Sequence, residues 1–290
     1  MSRTVTDIMQ TPDGNIASDS TLQLALPNQV VYENLYLDTN IPYALLKTIS
    51  VMNGSDDYFV AKGTEIIDVF EKHRGRTLDP ENGDFVPIRF ADPDAATLEG
   101  QEMCGLVTQP GDSWLLQVEL GTLPTAPAGG WYLRVWSETS SIVKGVADAD
   151  GNVRTGRRIR RFERRLDRKV MTSGVAGENT FDKLIKGVDK NIRTIYIKGD
   201  ISQVTLEGKR NGQIAHRWKL SKNLNTFLQK IRGQQNGIAD VAGYFIIDPV
   251  ATGFAIRDMM VVDFDEIIVK MESNVSGTIE ILTDYVKRVA

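Results

Sequence analysis

Two histidines, His73 and His216, and a single cysteine, Cys104, bound the metal and nucleophile chemistry this chain could perform. The histidines stand 143 positions apart. A zinc or iron enzyme needs His, Cys and carboxylate ligands clustered in space, and no such cluster shows in the sequence. Nor does a Gly-x-Ser-x-Gly elbow, a phosphate-binding Gly-Lys-Ser/Thr loop or a paired-cysteine motif occur. "DADGNV" (148–153) has acids spaced like part of a calcium loop, but its glycine follows the second Asp directly, so it reads as a turn. The acidic groups "DPENGD" (79–84) and "DFDE" (263–266) leave one option open, a structural divalent cation, against the plainer reading as solvated loops. No catalytic residue and no organic cofactor is expected.

The strongest chemical signal is electrostatic. Residues 154–169, "RTGRRIRRFERRLDRK", carry nine basic and two acidic side chains, while the rest of the chain holds 25 basic and 36 acidic ones. Arg157, Arg158, Arg160, Arg161, Arg164, Arg165 and Arg168 are the candidate site residues. Arrayed around a helix, they could face the phosphates of a genome or of lipid headgroups. Paired with the chain's excess carboxylates, they would instead join domains, and this reading is favoured. Ile159, Phe162, Leu166 and Val170 fall at i, i+3, i+7 and i+11, which predicts a linker helix docked by a narrow apolar stripe. The net charge of -4 argues against a surface built as a whole for nucleic acid. With one cysteine, no export signal and no run of 18 apolar residues, a reducing compartment and no membrane span are expected.

The elements that would carry these residues are written twice. Ile66, Val69 and Phe70 give one short amphipathic helix, and Leu224, Phe227 and Leu228 repeat the spacing 158 positions later. Thr64 and Ser221 are the expected N-caps, and Gly75 and Gly233 the expected stops. "LALPNQVVYENLYLD" from Leu24 lies over "LIKGVDKNIRTIYIKG" from Leu184 at an offset of 160, and "GDFVPI" from Gly83 over "GYFIID" from Gly243 at the same offset. Ordered blocks at near-constant offset indicate an internal duplication. Within each copy, eight short runs alternate with Gly, Pro, Asn and Asp clusters and read as strands, as in Trp114, Leu116, Val118 and Leu120 against Gln117 and Glu119. Trp114, Trp131 and Trp218 take core positions on such runs, while Trp136 has the opposite parity from Trp131 and is a candidate to face a neighbouring subunit. His73 falls where the other copy has Ile231, which favours packing at a helix end.

Eight antiparallel strands per copy without βαβ alternation favour an all-β chain of two tandem eight-stranded jelly-roll sandwiches, each with a short helix. The expected division is an N-terminal arm (1–19), a first roll (20–150), a basic helical linker (151–176) and a second roll (177–290). The arm is expected to order only on assembly.

The order of a polar arm, "LALP", "YENLYL", a strand and helix ending "EKHRGR", a basic inter-domain segment and "GENTFDKLIKG" leading into "IRTIYIKG" resembles the double jelly-roll major capsid proteins of tailless, membrane-containing icosahedral bacteriophages, the corticovirus type in the lineage of adenovirus hexon. The resemblance spans about residues 20–288. It implies a coat protein made in the host cytoplasm and resident in the virion, a homotrimer forming a pseudo-hexameric capsomer. Its implied partners are neighbouring capsomers, vertex (penton) and minor membrane proteins, and the headgroups of an internal membrane, with no sequence-specific nucleic acid. The segments "ADPDAATLEGQE", "GTLPTAPAGG" and "PVATGFAIRD" are the expected outer loops, short enough for a low-relief surface. The competing reading is a tandem jelly-roll carbohydrate-binding protein of lectin type, with tryptophans as sugar platforms.

Overall fold

The computed structural model describes residues 4–6, 11–97, 100–101, 103–147, 153–157, 160, 162–173, 176–233 and 238–289. The first half folds into strands β1 (Thr4–Thr6), β2 (Thr21–Ala25), β3 (Val30–Thr39), β4 (Leu46–Asn53), β5 (Asp56–Ala61), β6 (Val86–Arg89), β7 (Leu106–Val107), β8 (Trp114–Leu120) and β9 (Leu133–Ser141). They build one sheet in the order β1-β9-β3-β6, with β7 also on β3, and a second in the order β2-β8-β4-β5. A two-stranded ribbon, β10 (Val143–Ala147) and β11 (Val153–Arg157), leads out. The second half runs β12 (Phe162–Ser173), β13 (Gly177–Phe181), β14 (Lys190–Lys198), β15 (Ile201–Arg210), β16 (Gln213–Ser221), β17 (Tyr244–Ile247), β18 (Met260–Val261), β19 (Glu266–Ser273) and β20 (Gly277–Arg288).

Its sheets are β12-β20-β14-β17, with β18 on β14, and β13-β19-β15-β16. Strand for strand this is the order of the first half. Both are jelly rolls: apart from the β4–β5 and β15–β16 hairpins, strands paired within a sheet are distant in the chain, and most connections cross between the sheets. The irregularities repeat as well. A bulge interrupts β3 between Tyr32 and Asn34 and β14 between Ile192 and Thr194, and another interrupts β4 between Leu46 and Thr48 and β15 between Ile201 and Gln203. Bulges at matching sites are inherited design features rather than accidents of packing. One expected match shifts by a residue: Leu35 pairs with Ile88 as Ile195 pairs with Ile247, so buried Val86 corresponds to buried Phe245. Phe85, on the other parity, is exposed.

Each roll fills its own sandwich. Leu35, Ile49, Val51, Leu116 and Val135 centre the first core, and Ile195, Ile197, Val204, Met271 and Ile281 the second. The alternation in β8 is visible directly, with Trp114, Leu116, Val118 and Leu120 buried and the residues between them half-exposed. Between β5 and β6 lies helix α1, which opens as Gly63–Glu65 and continues as a π-helical stretch, Ile66–Glu71. Its N-cap is Lys62 rather than Thr64, because the Glu65 carboxylate reaches back to accept from the Lys62 backbone N–H at 2.8 Å. Gly75 ends it at φ 69°, as expected of a stop glycine. A Cβ on Gly63 would stand 2.1 Å from the Tyr43 carbonyl oxygen. Gly63→Ala is therefore expected to destabilise the fold by about 1–3 kcal/mol, read as a lowered unfolding midpoint.

Three sequence expectations are corrected. The basic segment is not a linker helix: Phe162–Ser173 is β12, paired with β20 over its full length and serving as the first strand of the second roll. Apolar residues four apart keep one face in a strand as well as in a helix, so Phe162, Leu166 and Val170 satisfied both patterns. Twelve cross-strand pairs outweigh the modest helix preference of Arg, Leu and Lys. The described part of the polar arm already pairs within the single chain: β1 pairs with β9, and Asp13 exchanges backbone hydrogen bonds with Gln23 at 2.7 and 3.0 Å. Finally, the three short loops do not share one end. Residues 121–130 sit at the Thr39 end of β3, where Asn40 Nδ2 donates to the Gly130 carbonyl, whereas residues 91–102 leave at the opposite end and meet residues 249–258 through the Ala96 N–H and the Gly253 carbonyl. "DADGNV" falls largely outside the described residues.

Candidate assembly interface

Helix α1 is a wedge between the rolls. Ile66 and Ile67 enter the first core, while Val69 turns to the second roll and packs with Tyr196, Val241, Ile246 and Leu282. Phe70 packs against Tyr196, the rings inclined at 46° with their centres 5.0 Å apart. At the helix end His73 is buried, with Nε2 3.0 Å from Asp248 Oδ2 and Nδ1 3.0 Å from the Ala239 carbonyl. Its role is the expected packing at a helix end, with a polar tie to the second roll added. Arg74 reaches the same carboxylate at 3.3 Å.

Beside the wedge lies a buried layer of charge. Arg193, the extra residue of the β14 bulge, is 1% exposed; it pairs with Asp92 of the first roll, and its Nε stands 3.5 Å from Asp284 Oδ2. A bulge re-aims its residue, and here it turns a guanidinium into the junction. Arg164 completes the layer with a two-oxygen contact to Asp284 and a hydrogen bond to the Arg89 carbonyl. Cys104 is buried against Arg193, its Sγ 3.7 Å from Nη1, and burial pushes its thiol up. Next to this layer, Arg89 and Arg76 both donate to Glu71.

The predicted site arginines fall mainly within this junction. Arg168 donates to Glu65 of α1 and to Glu280, Arg165 pairs with Glu163 and lies over the Tyr58 ring, and Arg160 pairs with Asp112 and lies over Trp114. All four described arginines, counting Arg164, thus meet carboxylates; the side chains of Arg157, Arg158 and Arg161 lie outside the described residues. The bulge arginine, Arg193, was not read from the sequence. Its only mark there was a charge inside an otherwise apolar strand run.

Burial alone would raise the carboxyls of the junction, but cations reverse the sign. Arg193, Arg74 and Arg164 hold Asp92 well below the usual range, Arg74 and His73 lower Asp248, and Arg89 and Arg76 lower Glu71. A carboxyl depressed in the folded state binds protons more readily when unfolded. Its contribution is complete above the ordinary carboxylate pKa of about 4 and is lost as the pH falls toward the depressed values. The melting temperature is therefore expected to fall steeply below about pH 4, and Asp248→Asn is expected to flatten that slope in a circular-dichroism titration.

The counterparts of the two joined faces carry exposed or half-buried apolar side chains. In the second roll the helix between β16 and β17 is α2 (Lys222–Arg232), capped by Ser221, whose Oγ accepts from the Leu224 N–H at 3.3 Å. Its Leu224, Phe227 and Ile231 are 44%, 58% and 56% exposed, an apolar stripe at i, i+3 and i+7. The second-roll face that receives α1 carries Tyr196, Tyr244 and Leu282. By strand register its first-roll counterpart carries Tyr36, Phe85 and Trp136, because Tyr36 pairs with Trp136 as Tyr196 pairs with Leu282. Phe85 and Trp136 lie together with ring centres 6.3 Å apart, and the Trp136 indole N–H is shielded without an acceptor. Trp114 is core, and Trp131 and Trp218 pack partly buried against the two cores, as their parity required.

Among the described residues, no group of three or more His, Cys, Asp or Glu is arranged to hold a metal ion. The "DPENGD" loop closes on itself, the Asp79 N–H donating to Asp84, and the acids of "DFDE" meet Arg210, Lys209 and the Asn211 N–H.

Two jelly rolls of equal topology in one chain, locked side by side, place it in the class of double jelly-roll proteins. The model of the viral coat protein P2 N-terminal domain matches residues 9–140, and that of its C-terminal domain residues 163–289. The chain belongs to the viral coat protein P2 family, and as a coat protein it is a structural component of the virion shell rather than an enzyme. No curated protein sequence matches it significantly. Among solved structures it is similar to the major capsid protein P2 of bacteriophage PM2, at 17% identity and TM-score 0.78 over 100% of this chain and 98% of that one. It is also similar to the major capsid protein of STIV, at 12% identity and TM-score 0.69 over 99% and 97%. The PBCV-1 virus capsid structure follows at 8% identity and TM-score 0.59 over 98% and 94%. At such identities the likeness is one of fold.

Proposed function

We propose that three copies of this chain close into a ring of six rolls, the pseudo-hexameric capsomer of an icosahedral phage shell. One observation carries the reading: within the chain the first roll's helix is seated on the second roll's sheet, while on the same two surfaces once removed the second roll's helix exposes Leu224, Phe227 and Ile231 and the first roll's sheet exposes Phe85 beside half-buried Tyr36 and Trp136. If α2 of one chain docks on the Tyr36, Phe85 and Trp136 face of the next, a single junction repeats around the ring. A head-to-tail contact whose rotation closes after three copies forms a ring with no open face. Obligate interfaces of this type bury roughly 2,000 Å² or more. The building units are a first roll within residues 20–150, extended by β1, and a second roll that begins at β12 rather than at 177.

Membership of a coat-protein family supports contact with neighbouring capsomers, and vertex proteins, minor membrane proteins and an internal membrane are proposed as further partners on the resemblance in sequence order alone. Arg160, Arg164, Arg165 and Arg168, being engaged by carboxylates, favour a joining role over phosphate binding. Light scattering after size-exclusion chromatography tests the ring. A mass of about 97 kDa, three times 32.2 kDa, is expected, and a stable 32.2 kDa species at high concentration would refute it.

A further inference from the structure

We propose that the first strand of each chain, β1, lies along strand β16 of the neighbouring chain and closes the exposed flank of its second roll. The proposal rests on the ring of three and names a contact that ring does not by itself require. It starts from a cover that exists inside the chain. Strand β12, at the edge of one second-roll sheet, lies against β5, at the edge of a first-roll sheet: the Tyr58 hydroxyl donates to Glu163 at 2.7 Å, and the Arg165 guanidinium sits 4.1 Å from the centre of the Tyr58 ring. Beneath that cover Tyr58 and Phe59 are buried.

The counterpart of β5 is β16, and it has no cover. Gln213 through Arg217 are all exposed, and Trp218 and Leu220 are only half-buried. Beside them opens an apolar cavity of about 300 Å³ lined by Leu206, Trp218, Met260, Phe264 and Ile267, with His216 at its rim and packed edge-on to Trp218. An uncovered edge strand over an apolar hollow invites uncontrolled pairing unless something occupies it.

The counterpart of β12 is β1. Each is the edge strand of its sheet, and the shared bulge fixes their correspondence. Glu138 and Asp284 are the first partners past the bulge, opposite Asn34 and Thr194, and they pair with Val5 and Leu166 respectively. Thr4 therefore holds the register of Arg165. On the other side, Trp218 faces Leu206 as Phe59 faces Val51, and Arg217 faces Glu207 as Asp57 faces Met52, so Arg217 and Trp218 flank the position of Tyr58. Applying the intrachain junction once more brings β1 of one chain to β16 of the next. It is the same pair of rolls that α2 would join, so the two contacts are geometrically consistent.

The test uses the full chain with Thr4→Cys and Arg217→Cys together, treated with a bismaleimide of about 8 Å reach. Cys104 is buried and serves as its own background in the wild type. The expected result is loss of the monomer band to covalent dimer and trimer on a denaturing gel. Either single variant should stay monomeric on the gel, and co-expressing the two single variants should give the covalent dimer. A ring of about 97 kDa by light scattering that yields no interchain product, or only a cross-linked monomer, would overturn this contact alone. A chain that stays monomeric in solution would overturn it together with the ring.

Discussion

Replacing Phe227 and Ile231 of α2 with glutamate is expected to convert the assembly from about 97 kDa to the 32.2 kDa chain while leaving the fold of the single chain intact. Both side chains are more than half exposed in the isolated chain, so the new carboxylates stay in water there. In the ring each would be pressed onto Tyr36, Phe85 or Trp136, aromatic rings that offer a carboxylate no charge partner. Removing an unpaired carboxylate from water costs several kcal/mol, and the ring holds three such junctions. Light scattering reads the mass and circular dichroism reads the fold. Retention of the ring by the double variant would place the apolar stripe outside the interface.

The second large effect is expected at Arg193. Arg193→Met removes the cation between Asp92 and Asp284 and leaves Asp92 without its direct partner in a largely buried site. Breaking a buried ion pair from one side costs about 3–5 kcal/mol, far more than the pair contributes relative to an apolar pair of the same volume. The double change Arg193→Met with Asp92→Leu is accordingly expected to recover at least half of that loss, since Asp284 keeps Arg164. Urea unfolding of both variants in the monomeric Phe227→Glu, Ile231→Glu background keeps the transition unimolecular, so midpoints and slopes are directly comparable. Equal losses in the single and the double variant would mean that packing, and not charge, sets the cost.

These expectations differ in how far they could be read in advance. The period-2 runs of β2 to β9 and β13 to β20 were legible because burial on one face of a sheet leaves alternation in the sequence, as in Trp114 to Leu120. The basic segment was misread because composition speaks of local preference, and β12 is a strand only by virtue of β20 alongside it. The arginines were legible as a cluster, yet their partners are not: Glu65 lies 103 positions from Arg168, and Asp284 lies 120 from Arg164. Trp136 was marked by parity alone. Arg193 shows in the sequence only as a charge within a strand run, because a bulge, which no pattern announces, decides which way its side chain turns.

What the amino-acid order determined by itself is the duplication and the sandwich class, since periodicity and repeat offset are properties of neighbours along the chain. What only the tertiary structure decided is which of two equivalent helices is seated and which is bare, and which charges meet in the junction. Those outcomes depend on contacts between residues a hundred or more positions apart, formed by packing two sandwiches against each other, and no local pattern encodes such a contact.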